Sequence, residues 1–226
     1  MRIACQLALL LSVAGVCLAQ TVVDRMVAVV NKRVILESEL DQEERVQFLL
    51  HEKALNTMEQ QDTLAALDQL IDRSLLEQQI VQSGMLDPSP EEMAARVQEL
   101  RARISSAATD EGWKALLVTY GLTQQDIEEH VRSEFRVLRF VDLRFRGLVR
   151  VDKAEIDAYY QDKLLPELKK RGAQEPPLAE VSGRIERILV EQRVDQMLND
   201  WLQILRSQAH IEKIAPTLPK PKGAGL

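Results

Sequence analysis

The chain has 226 residues, 46% of them apolar and 28% charged, with a net charge of −6. That is too much core-forming material for a disordered chain and too much charge for a polytopic membrane protein. Two Trp, three Tyr and four Phe are few for an all-β protein of this size, and the acidic balance lacks the excess of Lys and Arg that phosphate neutralisation needs, so a mainly helical protein is favoured and nucleic acid is an unsuited partner.

Residues 1–19 read as a secretory signal peptide. Arg2 precedes an apolar run from Ile3 to Leu18 that only Gln6 and Ser12 interrupt, and Cys17 and Ala19 are the small residues three and one before a cut ahead of Gln20. The run is shorter than the ~20 residues of a spanning helix. Cleavage would remove both cysteines, Cys5 and Cys17, leaving a mature chain that relies on its hydrophobic core.

Next, Met26 to Val30 and Val34 to Leu36 are β-branched runs joined by Asn31-Lys32-Arg33, which reads as a tight hairpin. Ser38 with Asp41 predicts a capped helix from Glu39 to about Lys53, carrying Leu40, Val46, Leu49 and Leu50 on its face, with Phe48 to one side. From Asp62 to Ser83, Leu64, Leu67, Ile71 and Leu75 recur at helical steps, Leu70, Leu76, Ile80 and Val81 widen the stripe, and Gly84 supplies a stop. Pro90 opens a third helix with Met93, Val97, Leu100 and Ile104 inward. A short helix runs from Glu111 to Tyr120 and stops at Gly121.

Thr123 with Asp126 caps a long helix whose Ile127, Val131, Phe135, Leu138, Phe145 and Leu148 share a face. Asp152 caps another, which Pro166 kinks or ends. Residues 171–177 form a linker, Leu178 to about Gln208 a long helix, and Ala209 to Ala215 a final strand; the Pro- and Gly-rich end, 216–226, reads as disordered.

No metal, nucleotide or nucleophile motif occurs: His51, His130 and His210 lack His or Cys partners at ligand spacing, and no Gly-rich phosphate loop or nucleophile elbow is present. No cofactor or catalytic residue is expected. Glu128, Glu129 and His130 point about 100° apart on a helix, which favours a solvated face over an acid–base pair. Arg132, Arg136, Arg139, Arg144, Arg146 and Arg150 form a basic ridge, and the interleaved Glu128, Glu129, Glu134 and Asp142 favour intramolecular pairing, Glu128 with Arg132 in particular.

The hairpin and cap, running from Asp24 through MVAVVNKRVILESEL to Leu40, resemble the opening of the SurA family of periplasmic chaperones and parvulin-type prolyl isomerases. The likeness continues through LDQLIDRSLLEQQIVQSGM, PSPEEMAARVQELR, YGLTQQDIEEHVRSEFRVLRF and VDKAEIDAYYQDK, and resumes in PLAEVSGRIERILVEQRVDQMLNDWLQILRSQAHIEKI. It implies a mainly α fold: a SurA N-terminal-like module over 20–215 whose N-terminal part, 20–170, is joined by the helix and strand of 178–215, with the strand near His210 to Ile214 meeting the hairpin. Family members usually insert parvulin domains of roughly a hundred residues where this chain has only Gly172 to Pro177, too few to build one.

The resemblance therefore implies a non-enzymatic, ATP-independent periplasmic holdase for unfolded outer-membrane or secreted proteins, without stable membrane insertion and with homodimer formation open. An apolar client groove is expected at Phe48, Leu49, Leu50 and Met58, with Trp113 and Tyr120. The rival readings are a non-catalytic scaffold or assembly factor with one dedicated partner, and residual prolyl isomerase activity.

Overall fold

Two β-branched runs and a long helical remainder give a small sheet set against helices. The computed structural model describes residues 24–81 and 87–216; the predicted signal peptide and its cut before Gln20, the Gly84 stop and nearly all of the predicted tail lie outside these residues.

Strands β1 (Met26–Val30) and β2 (Arg33–Leu36) pair antiparallel as the hairpin pattern predicts, with Val30 opposite Arg33 and a register shift between Met26 and Ala28. Asn31 takes φ 58°, a left-handed conformation that Asn tolerates better than most residues. Strand β3 (Ile211–Lys213) lies on the other side of β1, with Val29 opposite Glu212, so the sheet order is β2-β1-β3. The expected meeting of the C-terminal strand with the hairpin is therefore observed.

Helix α1 (Glu37–Leu50) starts two residues earlier than Ser38 suggests. Glu39 reaches back to the N–H of Leu36 (2.9 Å), while Ser38 gives its hydroxyl and its N–H to the carboxylate of Asp24, at the entry to β1. The cap is thus supplied from across the hairpin, which local spacing does not reveal. The helix stops at Leu50 rather than near Lys53, because Glu52 turns to φ 50°. Phe48, placed to one side by sequence, is buried with Leu40, Val46 and Leu49.

Helix α2 (Gln60–Val81) faces the sheet with Leu67, Ile71 and Leu75. Leu64 is 44% exposed, a departure from the predicted stripe, because Thr63 takes the inward position at that turn. Helix α3 (Pro90–Ala102) is capped reciprocally by Ser89 and Glu92, and Met93, Val97 and Leu100, together with Ile104 just beyond it, are buried as predicted. Helix α4 (Asp110–Tyr120) ends at Gly121 with φ 63°, the left-handed stop expected there.

Helix α5 (Gln124–Phe145), capped by Thr123 and Asp126, belongs to two clusters. Its first half adds Ile127 and Val131 to a core built with α1, α3 and α4; its second half turns Val141 and Phe145 toward helix α8 (Leu178–Gln208). That change of partner leaves Leu138 (52%) and Leu148 (67%) exposed, against their predicted places on one inward face. Helix α8, about 46 Å long at 1.5 Å per residue, runs back to the sheet, where Leu205 packs on the β1–α2 cluster. Arg206 fixes its end, donating to Asp72 (2.6 Å) and to the carbonyl of Asp68 (3.2 Å).

Candidate functional site

The predicted groove residues do not form one open surface, although Leu50 lines a cavity of about 280 Å³ with His51, Leu100 and Phe135. Phe48, Leu49, Trp113 and Tyr120 are buried together in the α1–α3–α4–α5 core, and Leu50 and Met58 pack against it half-buried. Their polar atoms are satisfied inwardly: the Trp113 indole N–H donates to Gln124 (2.9 Å) and the Tyr120 hydroxyl to the carbonyl of Lys53 (2.9 Å). Apolar side chains that converge from four helices shed more water by packing on one another than by lining a cleft, and sequence spacing does not distinguish the two outcomes.

An open apolar cleft lies elsewhere. Helix α6 (Lys153–Tyr159), capped by Asp152, passes through a five-residue π-helical segment, Tyr160–Leu164, into helix α7 (Leu165–Lys170). Pro166 has no N–H for the carbonyl one turn back, and its ring clashes with that carbonyl in a regular α-helix. Widening the preceding turn, with Leu165 N–H bonded to the carbonyl of Tyr160, lets the helix continue past the proline instead of ending.

The α6–α7 arm lies along the first half of α8 and contributes no buried residue of its own. It is held at its edges. Arg193 donates to Glu155 (2.6 Å) and to the carbonyl of Arg150 (2.8 Å), and the Tyr160 hydroxyl donates to the carbonyl of Pro176 (2.9 Å). Between arm and helix is a solvent-open cavity of about 780 Å³ lined by Tyr159, Leu164, Leu168 and Leu189, with Glu155, Asp162, Lys163, Glu167 and Arg171 also at its walls. The volume lies in the ~300–1,000 Å³ range of pockets that hold drug-sized ligands, enough for a short chain segment and too small for a folded domain. The sequence signal that marks this place is Pro166 inside a helical pattern, together with arm residues whose apolar positions have no second helix to face.

A second polar assembly joins α1, α2 and α5. Glu43, 3% exposed, receives two hydrogen bonds from Arg73 (2.6 and 3.0 Å), and His130 Nδ1 stands 3.5 Å from it. Burial opposes ionisation of Glu43, but His130 and Arg73 outweigh it and hold the carboxyl far below the usual carboxylate range. His130 is therefore a buried core residue, and the solvated-face reading holds only for its neighbours Glu128 and Glu129, which accept from Gln124 and Gln125. Its position three after Ile127 and one before Val131 was the available cue. Next to Glu43, Glu44 is also buried, and desolvation pushes its carboxyl up.

Three of the six ridge arginines form ion pairs, mostly to other helices: Arg136 to Glu77 (3.4 Å), Arg139 to Glu92 (3.3 Å), Arg146 to Asp142 and to Glu191 (2.8 Å), while Arg150 donates to the carbonyls of Gly147 and Val149. Arg144 instead stacks over the Trp201 ring at 4.4 Å. The expected Glu128–Arg132 pair does not form, Glu128 being taken by Gln124. Among the described residues no helix is long and apolar enough to cross a membrane, and no group of three or more His, Cys, Asp or Glu is placed to hold a metal.

No protein-family model and no curated protein matches this chain. The fold defines a class nonetheless: a mainly helical protein whose N-terminal hairpin and C-terminal strand close one sheet.

Proposed function

We propose that this protein is a periplasmic, ATP-independent chaperone of the SurA-like type, a holdase that binds unfolded outer-membrane or secreted polypeptides and lacks a prolyl isomerase domain. The observation that carries this reading is the apolar, solvent-open cleft between the α6–α7 arm and α8. It offers contact area to an extended segment without demanding a fixed sequence. The sequence has no nucleotide motif, so release rests on weak, multipoint binding. The α7–α8 connection spans only residues 171–177, which supports the absence of an inserted catalytic domain.

The test is suppression of aggregation for several unrelated unfolded proteins, combined with a photo-crosslinking residue at Ala158, in the cleft, or at Val118, exposed on α4 away from it. Protection of more than one client with crosslinks from position 158 is the expected result. Protection of none would favour a dedicated scaffold and defeat the proposal, and acceleration of proline-limited refolding at catalytic amounts would overturn its non-enzymatic part.

A further inference from the structure

We infer that the arm cleft selects apolar client segments that carry carboxylates, an inference that rests on the proposed client-binding role of that cleft. The argument is a charge inventory of its walls. Of the five charged residues there, Glu155 is occupied by Arg193 at 2.6 Å and Glu167 by Lys170 at 2.9 Å. Lys170 is also the main reason that the Glu167 carboxyl lies below its ordinary range, with Arg171 adding a weaker pull.

That leaves Asp162, Lys163 and Arg171, none of which forms an ion pair within 4.0 Å among the described residues, Arg171 acting on Glu167 only from a longer range. Two cations and one carboxylate thus remain without a close partner at the walls of the cleft. Counted together with Arg193 and Lys170, the cleft has four cations against three carboxylates, an excess of one positive charge in a chain whose total charge is −6. Lys163 and Arg171 stand eight residues apart along the arm, so they address two positions of an extended segment and not one carboxylate.

The matching ligand is a stretch whose apolar side chains enter between Tyr159, Leu164, Leu168 and Leu189 while flanking Asp or Glu side chains reach the two cations. Such exposed contacts are individually weak and screened by salt. They bias selection among apolar segments, and the apolar floor supplies the adhesion itself.

Three fluorescent synthetic peptides with one apolar core, flanked by Glu, Gln or Lys, would be titrated with the mature chain and followed by anisotropy. At low salt the Glu-flanked peptide should bind about 3- to 10-fold more tightly than the Lys-flanked one. The ratio should fall toward one at high salt and in the double variant Lys163→Gln, Arg171→Gln. Equal affinities for the three peptides, or a preference that survives the double variant, would overturn the charge selection while leaving the cleft as a client site. If no peptide binds, or if binding is indifferent to Leu168→Asp in a variant that keeps its helical circular dichroism, the client-site reading fails and the selection fails with it.

Discussion

Glu43 shows how one buried carboxylate couples three helices to pH. It sits on α1, takes a two-pronged guanidinium from Arg73 on α2, and faces His130 on α5. Because its folded-state pKa is depressed below the unfolded value of about 4.3, its contribution to stability is fully present above that value. The contribution is lost as pH falls below about 4 toward the folded pKa. Glu44 runs the other way, since burial raises its pKa and acidification relieves the strain of an ionised buried group. A difference measurement separates the two. Glu43→Gln should lower stability at pH 7 by about 2–3 kcal/mol, and the gap between variant and parent should narrow between pH 4.5 and 3. Urea midpoints across that range check both the size and the direction.

At the scale of elements, the α6–α7 arm stands apart among the described residues because it runs from Lys153 to Lys170 without a buried side chain. The α1–α3–α4–α5 core and the sheet–α2 core are sealed by side chains under 10% exposed, while no side chain of the arm itself is buried and its edges are held by hydrogen bonds, Ile185 being the buried residue on that half of α8. Few buried apolar contacts mean a low free energy of local opening. The π-helical turn adds to this, since it exists to carry the helix past Pro166. Replacing Pro166 with Ala would restore a backbone N–H and remove the ring clash, favouring a regular turn over Tyr160–Leu164. Amide exchange of residues 163–170 should slow in Pro166→Ala, with exchange in α2 unchanged. Equal exchange in the two proteins would show that the proline does not set the turn.

At the scale of the whole molecule, the two ends of the described chain close one unit. The backbone N–H of Asn31 donates to His210 (2.7 Å), the Asn31 side chain accepts from the His210 N–H (2.9 Å), and its amide donates to Gln78 on α2 (2.9 Å). Lys213 and Arg206 both reach Asp68 on α2. Asn31 thereby serves as turn residue, strand clasp and helix tie at once. Asn31→Ala should cost about 2–3 kcal/mol, from a left-handed φ unsuited to Ala and two lost hydrogen bonds. Asn31→Gly keeps the φ and should cost about 1 kcal/mol less. Thermal melts of the two variants separate backbone strain from the lost ties.

Local chemistry was enough to read most of the elements. Asn31 marked the hairpin, Pro90 and Thr123 marked helix starts, Gly121 marked a stop, and Leu178 to Gln208 was legible as one helix, because caps, turns and periodicity are interactions within a few residues. The resemblance also anticipated that the last strand meets the first. What the sequence alone could not assign was which apolar faces close on one another. Phe48, Trp113 and Tyr120 have the composition of a groove and are core; Leu138 and Leu148 have the spacing of a core face and are exposed; His130 found Glu43 across 87 positions. Burial is decided by the partner a face meets, and that partner is set by the path of the whole chain. For the same reason the open cleft appears only once the arm is seen to lie against α8, away from the sealed cores.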